Sequence, residues 1–198
     1  MASLPHYARQ TSYTGRAYPL DRTQALEQFL AGVEKRALRM AQIATGDTDE
    51  ALDLVQEAML KLVQRYASRE TDEWGPLFHR ILQSKIRDWY RRKRIRDRWR
   101  LWFGRREDED APDPLETVPD TATPDLTDQL SHKRAAARLE EALRSLPLRQ
   151  QQAFLLRVWE EYDVQHTAEV MGCSEGSVKT HLSRAIHALR ERLEDQWP

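Results

Sequence analysis

Basic side chains recur at helical spacing in one segment of the chain, and their chemistry suits nucleic acid. Arg80, Ser84, Arg87 and Arg91 lie three or four residues apart, so a helix would present all four on one face. Guanidinium groups neutralise phosphates, and the interleaved aromatic rings can stack on unpaired bases. Residues 80–106 hold twelve Lys or Arg and only two acids. This excess favours an anionic partner over the alternative of a merely solvated face.

The C-terminal segment has the pattern of a helix-turn-helix. A short helix over residues 164–171 is followed by Gly172, which suits a helix C-cap, and by Ser174, which suits the next N-cap. The second helix then carries an apolar face opposite a polar one. The apolar face consists of Val178, Leu182, Ala185, Ile186, Leu189 and Leu193.

The polar face of that second helix has the side chains needed to read duplex DNA. In a helix-turn-helix the second helix enters the major groove. Thr180, Ser183 and Arg184 would then reach base edges, while Lys179 and His181 would contact phosphates. From spacing alone, an amphipathic hairpin with a solvated face fits about as well.

A third helix, over residues 50–66, has an acidic and amide-rich face with one apolar member. Asp53, Gln56, Glu57 and Leu60 lie opposite the predicted buried stripe. The leucine suggests a protein docking surface. The alternative is a single exposed leucine without a function, and the sequence of this helix, taken alone, favours that alternative. The predicted buried stripe is Leu52, Val55, Met59, Leu62 and Tyr66.

Patterns of catalytic and metal sites are missing from the sequence. It contains no Gly-rich phosphate loop, no paired histidines at metal spacing and no nucleophile elbow. The single cysteine, Cys173, excludes an intramolecular disulfide framework and a multi-cysteine zinc site, and it is expected to be a small packing residue rather than a redox switch. We therefore expect no enzymatic activity, no metal, no cofactor and no small-molecule substrate.

Composition and patterning predict an all-α protein. The chain has 198 residues, with 31 Lys or Arg against 32 Asp or Glu, and shows helical rather than alternating apolar spacing. It has no run of eighteen apolar residues and no basic start leading into an apolar stretch. A membrane-spanning helix and a secretory signal are thus not expected, and the predicted location is cytoplasmic.

The distribution of proline, glycine and charged residues along the chain predicts two small helical domains. Residues 1–20 would form a loose tail, 21–106 a first domain and 133–198 a helix-turn-helix domain. Residues 107–132 would be an acidic, proline-containing linker, because the stretch 107–130 has nine acids and no base.

These residues resemble the RNA polymerase sigma factors of the extracytoplasmic-function class, which retain only the second and fourth conserved regions of larger sigma factors. The similarity covers roughly residues 21–100 and 133–193, in the family's order and with an acidic linker between them. The matching stretches are residues 53–58, 74–89 and the basic run in the first half, and residues 146–149 and 167–185 in the second.

The resemblance implies a partner for each surface. Asp53, Gln56 and Glu57 match positions that bind the coiled-coil clamp of the largest polymerase subunit, and Leu60 would belong to the same surface. The resemblance also implies contact with the polymerase flap, with promoter DNA and with an anti-sigma factor. It assigns Arg80, Ser84, Arg87 and Arg91 to the minus-10 element, and Ser177, Lys179, Thr180, His181, Ser183 and Arg184 to the minus-35 element.

Some residues depart from the family pattern, and two other functions compete. Ser84 stands where many members have Asn, Tyr162 where a small or aliphatic residue is common, and His181 where Arg is frequent, which leaves the promoter sequence open. The aromatic cluster at 99–103 also lies outside the usual pattern. The alternatives are a stand-alone helix-turn-helix regulator and, less favoured because no β patterning is present, a DNA recombinase.

Overall fold

The computed structural model describes residues 20–103 and 126–193, and all regular structure in those ranges is helical. The expected all-α class is confirmed. The tail predicted over residues 1–20 lies outside the described residues except for Leu20. The helices are α1 (Leu20–Thr45), α2 (Thr48–Tyr66), α3 (Trp74–Phe103), α4 (Leu126–Arg144), α5 (Leu148–Phe154), which continues as a π-helical turn (Leu155–Trp159), α6 (Val164–Met171) and α7 (Glu175–Arg192).

The turn between α1 and α2 has a local cause. Gly46 adopts a left-handed φ of 73°, which stops α1 at little steric cost. The side chain of Asp47 then accepts hydrogen bonds from the backbone amides of Asp49 and Glu50, at 2.9 and 3.0 Å. These contacts satisfy two of the free amides at the start of α2. The turn-forming residues at 45–49 predict a helix stop and a new cap in the sequence, and the structure has both there.

Helices α1, α2 and α3 form the N-terminal bundle, which is built around the apolar side of α3. The rings of Phe29 and Trp74 lie 5.8 Å apart, and the Trp74 indole donates to the carbonyl oxygen of Tyr66 at 3.1 Å. Burial of a large apolar side chain contributes about 1.5–3 kcal/mol, so this packing fixes the orientation of α3. The helical spacing of apolar residues in α3 predicts a buried set of five, and all five are buried: Phe78, Ile81, Leu82, Ile86 and Trp89.

Helices α4 to α7 form the C-terminal bundle, which contains the predicted helix-turn-helix. Asp163 caps α6 by accepting from the His166 amide at 2.7 Å. Gly172 ends α6 with a left-handed φ of 64°, and the Ser174 hydroxyl caps α7 by accepting from the Ser177 amide at 3.2 Å. The caps at Gly172 and Ser174 are those expected from the sequence, and they set the angle between α6 and α7.

The two bundles pack against each other rather than standing apart. Helix α3 contacts α6, α1 contacts α4, and the buried apolar side chains of both bundles form one continuous cluster. Helix α4 begins at Leu126, inside the segment assigned to the linker, whereas residues 104–125 lie outside the described ranges. Among the described helices, none is both long and apolar enough to cross a membrane.

Candidate nucleic-acid interface

The four predicted basic-face residues of α3 differ in exposure. Arg80 and Arg91 are exposed, whereas Ser84 and Arg87 are half-buried. Arg91 pairs with Asp88 at 3.2 Å on the same helix. All four side chains therefore lie on one side of α3, and the part of that side at Ser84 and Arg87 is partly covered by the rest of the protein.

Arg87 is the most constrained of these residues. Burial lowers the pKa of its guanidinium, and the nearby positive charge of Arg149 lowers it further. Its Nη1 atom is buried and has no hydrogen-bond partner among the described residues. A buried donor without an acceptor is unfavourable by about 1–3 kcal/mol, and a phosphate oxygen is an acceptor that could satisfy it.

Helical spacing also predicts Gln83 on the exposed basic face of α3, and the structure contradicts this prediction. Its side chain is 1% exposed, and Nε2 donates to the sulfur of Met40 on α1 at 2.8 Å. The prediction was wrong because α3 packs against α1 and α2 on one side and against α6 on another, which widens its buried arc.

The basic extension of α3 combines charge with exposed apolar groups. Lys93 lies over the ring of Trp89 at 4.8 Å, and a cleft of about 340 Å³ is lined by both residues together with Tyr90, Arg94 and Arg144. In the aromatic cluster at 99–103, Trp99 is 57% exposed, and the side chains of residues 100–103 lie outside the described ones.

Helix α7 presents the predicted base-reading residues to solvent. Thr180, Ser183 and Arg184 are exposed, as is Lys179, which was assigned to phosphate. The Thr180 hydroxyl donates to the Gly176 carbonyl oxygen at 2.9 Å, one turn earlier in the same helix.

Two other predicted residues of α7 are partly engaged within the protein. Ser177 is half-buried, and its hydroxyl lies 2.9 Å from the capping hydroxyl of Ser174. His181 is half-buried, and burial lowers its pKa, with Arg149 and Arg184 adding to the effect. A neutral His181 can offer one donor and one acceptor, unlike the arginine frequent at this position in the family.

Arg149 is a functional candidate that reasoning from the sequence missed. Its Nη1 atom donates to the Met171 carbonyl oxygen at 2.7 Å, at the end of α6. From there its charge acts on both Arg87 of α3 and His181 of α7. Its motif was recognised in the sequence, but nothing in that motif indicated that its charge would lie between the two predicted DNA-binding faces.

Helix α2 carries an exposed surface of opposite charge. Asp53, Gln56 and Glu57 are exposed, and Leu60 is 57% exposed beside them. Glu57 also forms an ion pair with Lys85 of α3 at 2.5 Å.

Leu52 corrects the predicted buried stripe of α2, because it is 39% exposed. The buried residues of α2 are instead centred on Leu54, Val55 and Ala58. Ala51 and Ala58 are fully buried together with these residues, so α2 packs along a side that leaves Leu52 outside. Since Val63 is exposed too, Leu60 is not an isolated exposed leucine but one of three apolar side chains on this helix. Such a group is typical of a protein docking surface.

Metal-ligand geometry does not occur in the described part of the chain. Within residues 20–103 and 126–193, no group of three or more His, Cys, Asp or Glu side chains is placed to hold a metal ion. Cys173 is half-buried in the turn between α6 and α7, close enough to Arg87 for the two to interact electrostatically.

Family models match both bundles. The model of sigma-70 region 2 matches residues 26–96, which lie in α1 to α3, and the model of sigma-70 region 4 matches residues 136–189, which lie in α4 to α7. The region 2 match includes the basic face of α3, and the region 4 match, which follows it in the chain, includes the helix-turn-helix.

Curated relatives align over most of the chain. The RNA polymerase sigma-E factor of Streptomyces coelicolor is 32% identical over 168 residues, covering 84% of this chain and 85% of its own length. The ECF RNA polymerase sigma factor SigF of Caulobacter vibrioides is 30% identical over 167 residues, covering 83% and 82%.

Solved structures agree with this assignment. The sigma factor RpoE of Bartonella quintana, in complex with the anti-sigma factor NepR, superimposes with a TM-score of 0.57 at 26% identity and covers 89% of this chain and 99% of its own. CnrH, in complex with the cytosolic domain of CnrY, shares the fold with a TM-score of 0.53 at 18% identity, covering 89% and 96%. The chain therefore belongs to the sigma-70 family of RNA polymerase sigma factors, in the extracytoplasmic-function class.

Proposed function

We propose that this sigma factor binds core RNA polymerase through α2 and promoter DNA through α3 and α7. The observation that carries the proposal is the segregation of charge: exposed acids and apolar groups lie on α2, whereas exposed cations lie on α3 and α7. A polyanion such as DNA is attracted to the cationic surfaces of α3 and α7 and repelled by the acidic surface of α2. The three surfaces can thus be occupied at the same time by different partners.

For the polymerase contact we propose the α2 residues Asp53, Gln56, Glu57 and Leu60. Leu60 supplies apolar area, and the carboxylates pair with basic groups of the polymerase clamp. Because Glu57 is already paired with Lys85, Asp53 is the stronger candidate for a new ion pair. The polymerase flap is the proposed partner of the C-terminal bundle.

For the minus-35 element we propose that α7 enters the major groove. Arg184 reaches a guanine edge, Thr180 and Ser183 contact neighbouring base edges, and Lys179 contacts phosphate. The capping contact between Ser174 and Ser177 stabilises the first turn of α7, so the DNA-contacting side chains proposed above project from one rigid helix. His181 completes the face as a neutral hydrogen-bonding group.

For the minus-10 element we propose that α3 holds the opened strand. Arg80, Ser84, Arg87 and Arg91 follow one side of the helix, and the loop at residues 67–73 lies at its start. Strand opening needs no catalytic group, because binding of the exposed strand offsets the free energy of unstacking. We accordingly propose that the protein is not an enzyme and needs no cofactor.

The two DNA contacts act together through one polymerase. Each bundle provides only part of a specific interface, and joining them on one chain raises the effective concentration of the second contact. The acidic segment at 107–132 would lie in the RNA path of the polymerase, where it repels nucleic acid until displaced. Action on polymerase and promoter places the protein in the cytoplasm.

An anti-sigma factor is the proposed negative regulator. The similar Bartonella sigma factor was solved with one bound, and the resemblance of the two folds supports the same class of partner here. The exposed apolar groups Leu52, Leu60 and Val63 on α2 offer such a protein the same surface that polymerase would use.

Transcription in vitro with bacterial core RNA polymerase tests the proposal. We expect defined start sites only when the protein is added, and we expect promoter DNA to shift on a gel only when core enzyme is present. A stand-alone helix-turn-helix regulator would instead shift the promoter tightly without polymerase, and that result would replace the proposal by the alternative.

A further inference from the structure

The cleft of about 340 Å³ lies where the end of α1, the extension of α3 and the end of α4 meet. Three cations line it, Lys93 and Arg94 from α3 and Arg144 from α4. Among the described residues that line it, none is acidic. Its volume is within the range of clefts that hold small molecules. The combination of size and charge indicates a site for one small anion.

The cleft lies on a different side of α3 from the proposed minus-10 face. At 3.6 residues per turn, the α3 side chains of the cleft are centred roughly a third of a turn away from the four proposed for the minus-10 element. Helices α1 and α4 supply its other walls. The cleft is therefore not a continuation of the surface proposed for the promoter strand. Its α3 residues are Trp89, Tyr90, Lys93 and Arg94.

The cations of the cleft keep a net positive charge. Lys93 and Arg94 are both exposed. Arg144 is paired with Glu140 at 2.7 Å, and the same carboxylate also pairs with Arg39 of α1. One carboxylate shared by two arginines leaves one positive charge uncompensated. An anion entering the cleft is thus attracted from both α3 and α4.

One wall of the cleft is formed by two aromatic rings. The rings of Trp89 and Tyr90 meet edge to face with centroids 5.2 Å apart. The Trp89 indole donates to the Glu50 carboxylate, and the Tyr90 hydroxyl donates to the Ala44 carbonyl oxygen, each at 2.8 Å. These bonds hold both rings in place before a ligand binds. A flat heterocycle is a group that gains from contact with such rings.

The C-terminal end of α1 would repel an anion if its carbonyl groups were free, because they carry the negative end of the helix dipole. Side chains of other helices already donate to two of them. Gln151 of α5 donates to the Ile43 carbonyl oxygen at 3.4 Å, and Tyr90 donates to that of Ala44. These partners reduce the negative potential that α1 directs into the cleft.

We propose that this cleft binds a free nucleotide that carries two or more phosphates. Lys93, Arg94 and Arg144 bind the phosphates, and the base lies against the ring of Tyr90. Three cations around one small space match a polyphosphate, and the adjoining rings match a base. The site is separate from the polymerase and promoter contacts proposed above.

Isothermal titration calorimetry of the full-length protein at physiological salt tests the class of ligand. The probes are ATP, tripolyphosphate and adenosine. We expect saturable binding of ATP, about tenfold weaker binding of tripolyphosphate because the base contact is missing, and no measurable binding of adenosine. Absence of saturable ATP binding would overturn the inference. Equal affinity for ATP and tripolyphosphate would do so too, because it would show that the base is not recognised.

A double variant on α3 tests the position of the site. Lys93→Ala/Arg94→Ala should weaken ATP binding at least about tenfold, because charge-assisted contacts to phosphate are lost. The control is Arg92→Ala/Arg98→Ala, which removes the same charge from exposed positions of α3 outside the cleft. Equal losses in both variants would mean general attraction to a basic helix and would refute the site.

A second pair of variants tests the contribution of α4. Arg144→Ala should weaken ATP binding about tenfold, whereas Arg138→Ala, an exposed cation earlier in α4 and outside this cleft, should leave it unchanged. Unchanged affinity in Arg144→Ala would contradict a site that joins α3 and α4.

Substitutions of Tyr90 test the contact with the base. Tyr90→Leu should lower ATP affinity about tenfold and leave tripolyphosphate affinity unchanged, while Tyr90→Phe keeps the ring and should bind ATP like the wild type. Circular dichroism checks that every variant is as helical as the wild type. Wild-type ATP affinity in Tyr90→Leu would overturn the placement of the base.

Competition distinguishes a free nucleotide from a nucleotide within a DNA strand. A fluorescent ATP analogue is bound to the full-length protein, and either unlabelled ATP or a single-stranded minus-10 oligonucleotide is added. We expect ATP to displace the analogue and the oligonucleotide to leave it bound, because the strand is proposed to follow another side of α3. Displacement by the oligonucleotide at lower concentration than by ATP would show that the cleft serves the strand, and the inference of a free nucleotide would fall.

Discussion

Glu57 on α2 and Lys85 on α3 form an ion pair of 2.5 Å between the helix proposed to bind polymerase and the helix proposed to bind DNA. The pair lies where the acidic surface of one helix meets the basic surface of the next. Such a partly exposed pair contributes only about 0–1 kcal/mol to stability, so its members remain available to outside partners. It leaves Asp53 as an exposed carboxylate for which no ion pair is found in residues 20–103 and 126–193.

Reversing the charge of α2 should abolish polymerase binding. We expect the Asp53→Lys/Glu57→Lys variant to lose core polymerase in a pull-down while keeping wild-type helicity by circular dichroism, because both side chains are exposed. The control is Glu27→Lys/Glu34→Lys, which makes the same charge change at exposed positions of α1. Equal loss in the control would mean that total charge, not this surface, governs binding.

Removing Arg184 should weaken recognition of the minus-35 element. Arg184→Ala is expected to reduce the affinity of holoenzyme for the promoter by roughly 1–3 kcal/mol and to relax selectivity at one base pair. Competition binding against single-base promoter variants measures both effects. Arg192→Ala, an exposed cation near the C-terminal end of α7, is the control. Unchanged selectivity in Arg184→Ala would show that this side chain does not read a base.

The turn of the helix-turn-helix should depend on Gly172. Gly172→Ala forces a left-handed φ of 64° on a residue with a Cβ, although the surrounding space is open, so we expect a loss of about 1 kcal/mol and a lower melting temperature. Gly176→Ala is the matched control, because it lies inside α7 without a left-handed φ and should be neutral or stabilising. Thermal unfolding that is the same for both variants would contradict this account of the turn.

Burial of His79 should make the protein less stable in mild acid. Burial lowers the pKa of His79 from 6.5 to about 4; the hydrogen bond with the Gly75 carbonyl partly opposes this lowering, and the charge of Arg36 adds a smaller one. The unfolded chain then binds more protons between these values, so stability is full above pH 6.5 and falls by about 3 kcal/mol towards pH 4.

Chemical denaturation at a series of pH values measures this dependence. The groups that face His79 are Arg36, Tyr162, which stays protonated because burial raises its pKa, and Glu160, whose pKa burial also raises. Glu160 has the opposite effect on the pH dependence of stability, because its raised pKa lets the folded state bind a proton first and gain stability as the pH falls. A His79→Gln variant isolates the histidine contribution: its stability should fall less between pH 6.5 and 4 than that of the wild type. Parallel curves would exclude His79 as the cause.

Features that depend on neighbours in sequence were predictable. The caps at Asp47 and Ser174 and the left-handed Gly172 follow from residue type, and the outward face of α7 follows from helical periodicity. Positions that face a second element were less predictable, as Leu52 and Gln83 show.

The sequence by itself determined the helices, the basic segments of α3 and α7 that we propose bind DNA, and the acidic face of α2, because these follow from a local period of 3.6 residues. Only the tertiary structure decided which polar side chains are covered. His79 and Tyr162 are 83 residues apart in the chain, and Arg87 meets Arg149 only because α3 packs on the C-terminal bundle. Helical periodicity specifies the faces of one helix, whereas the contacts between the two bundles depend on how they pack against each other.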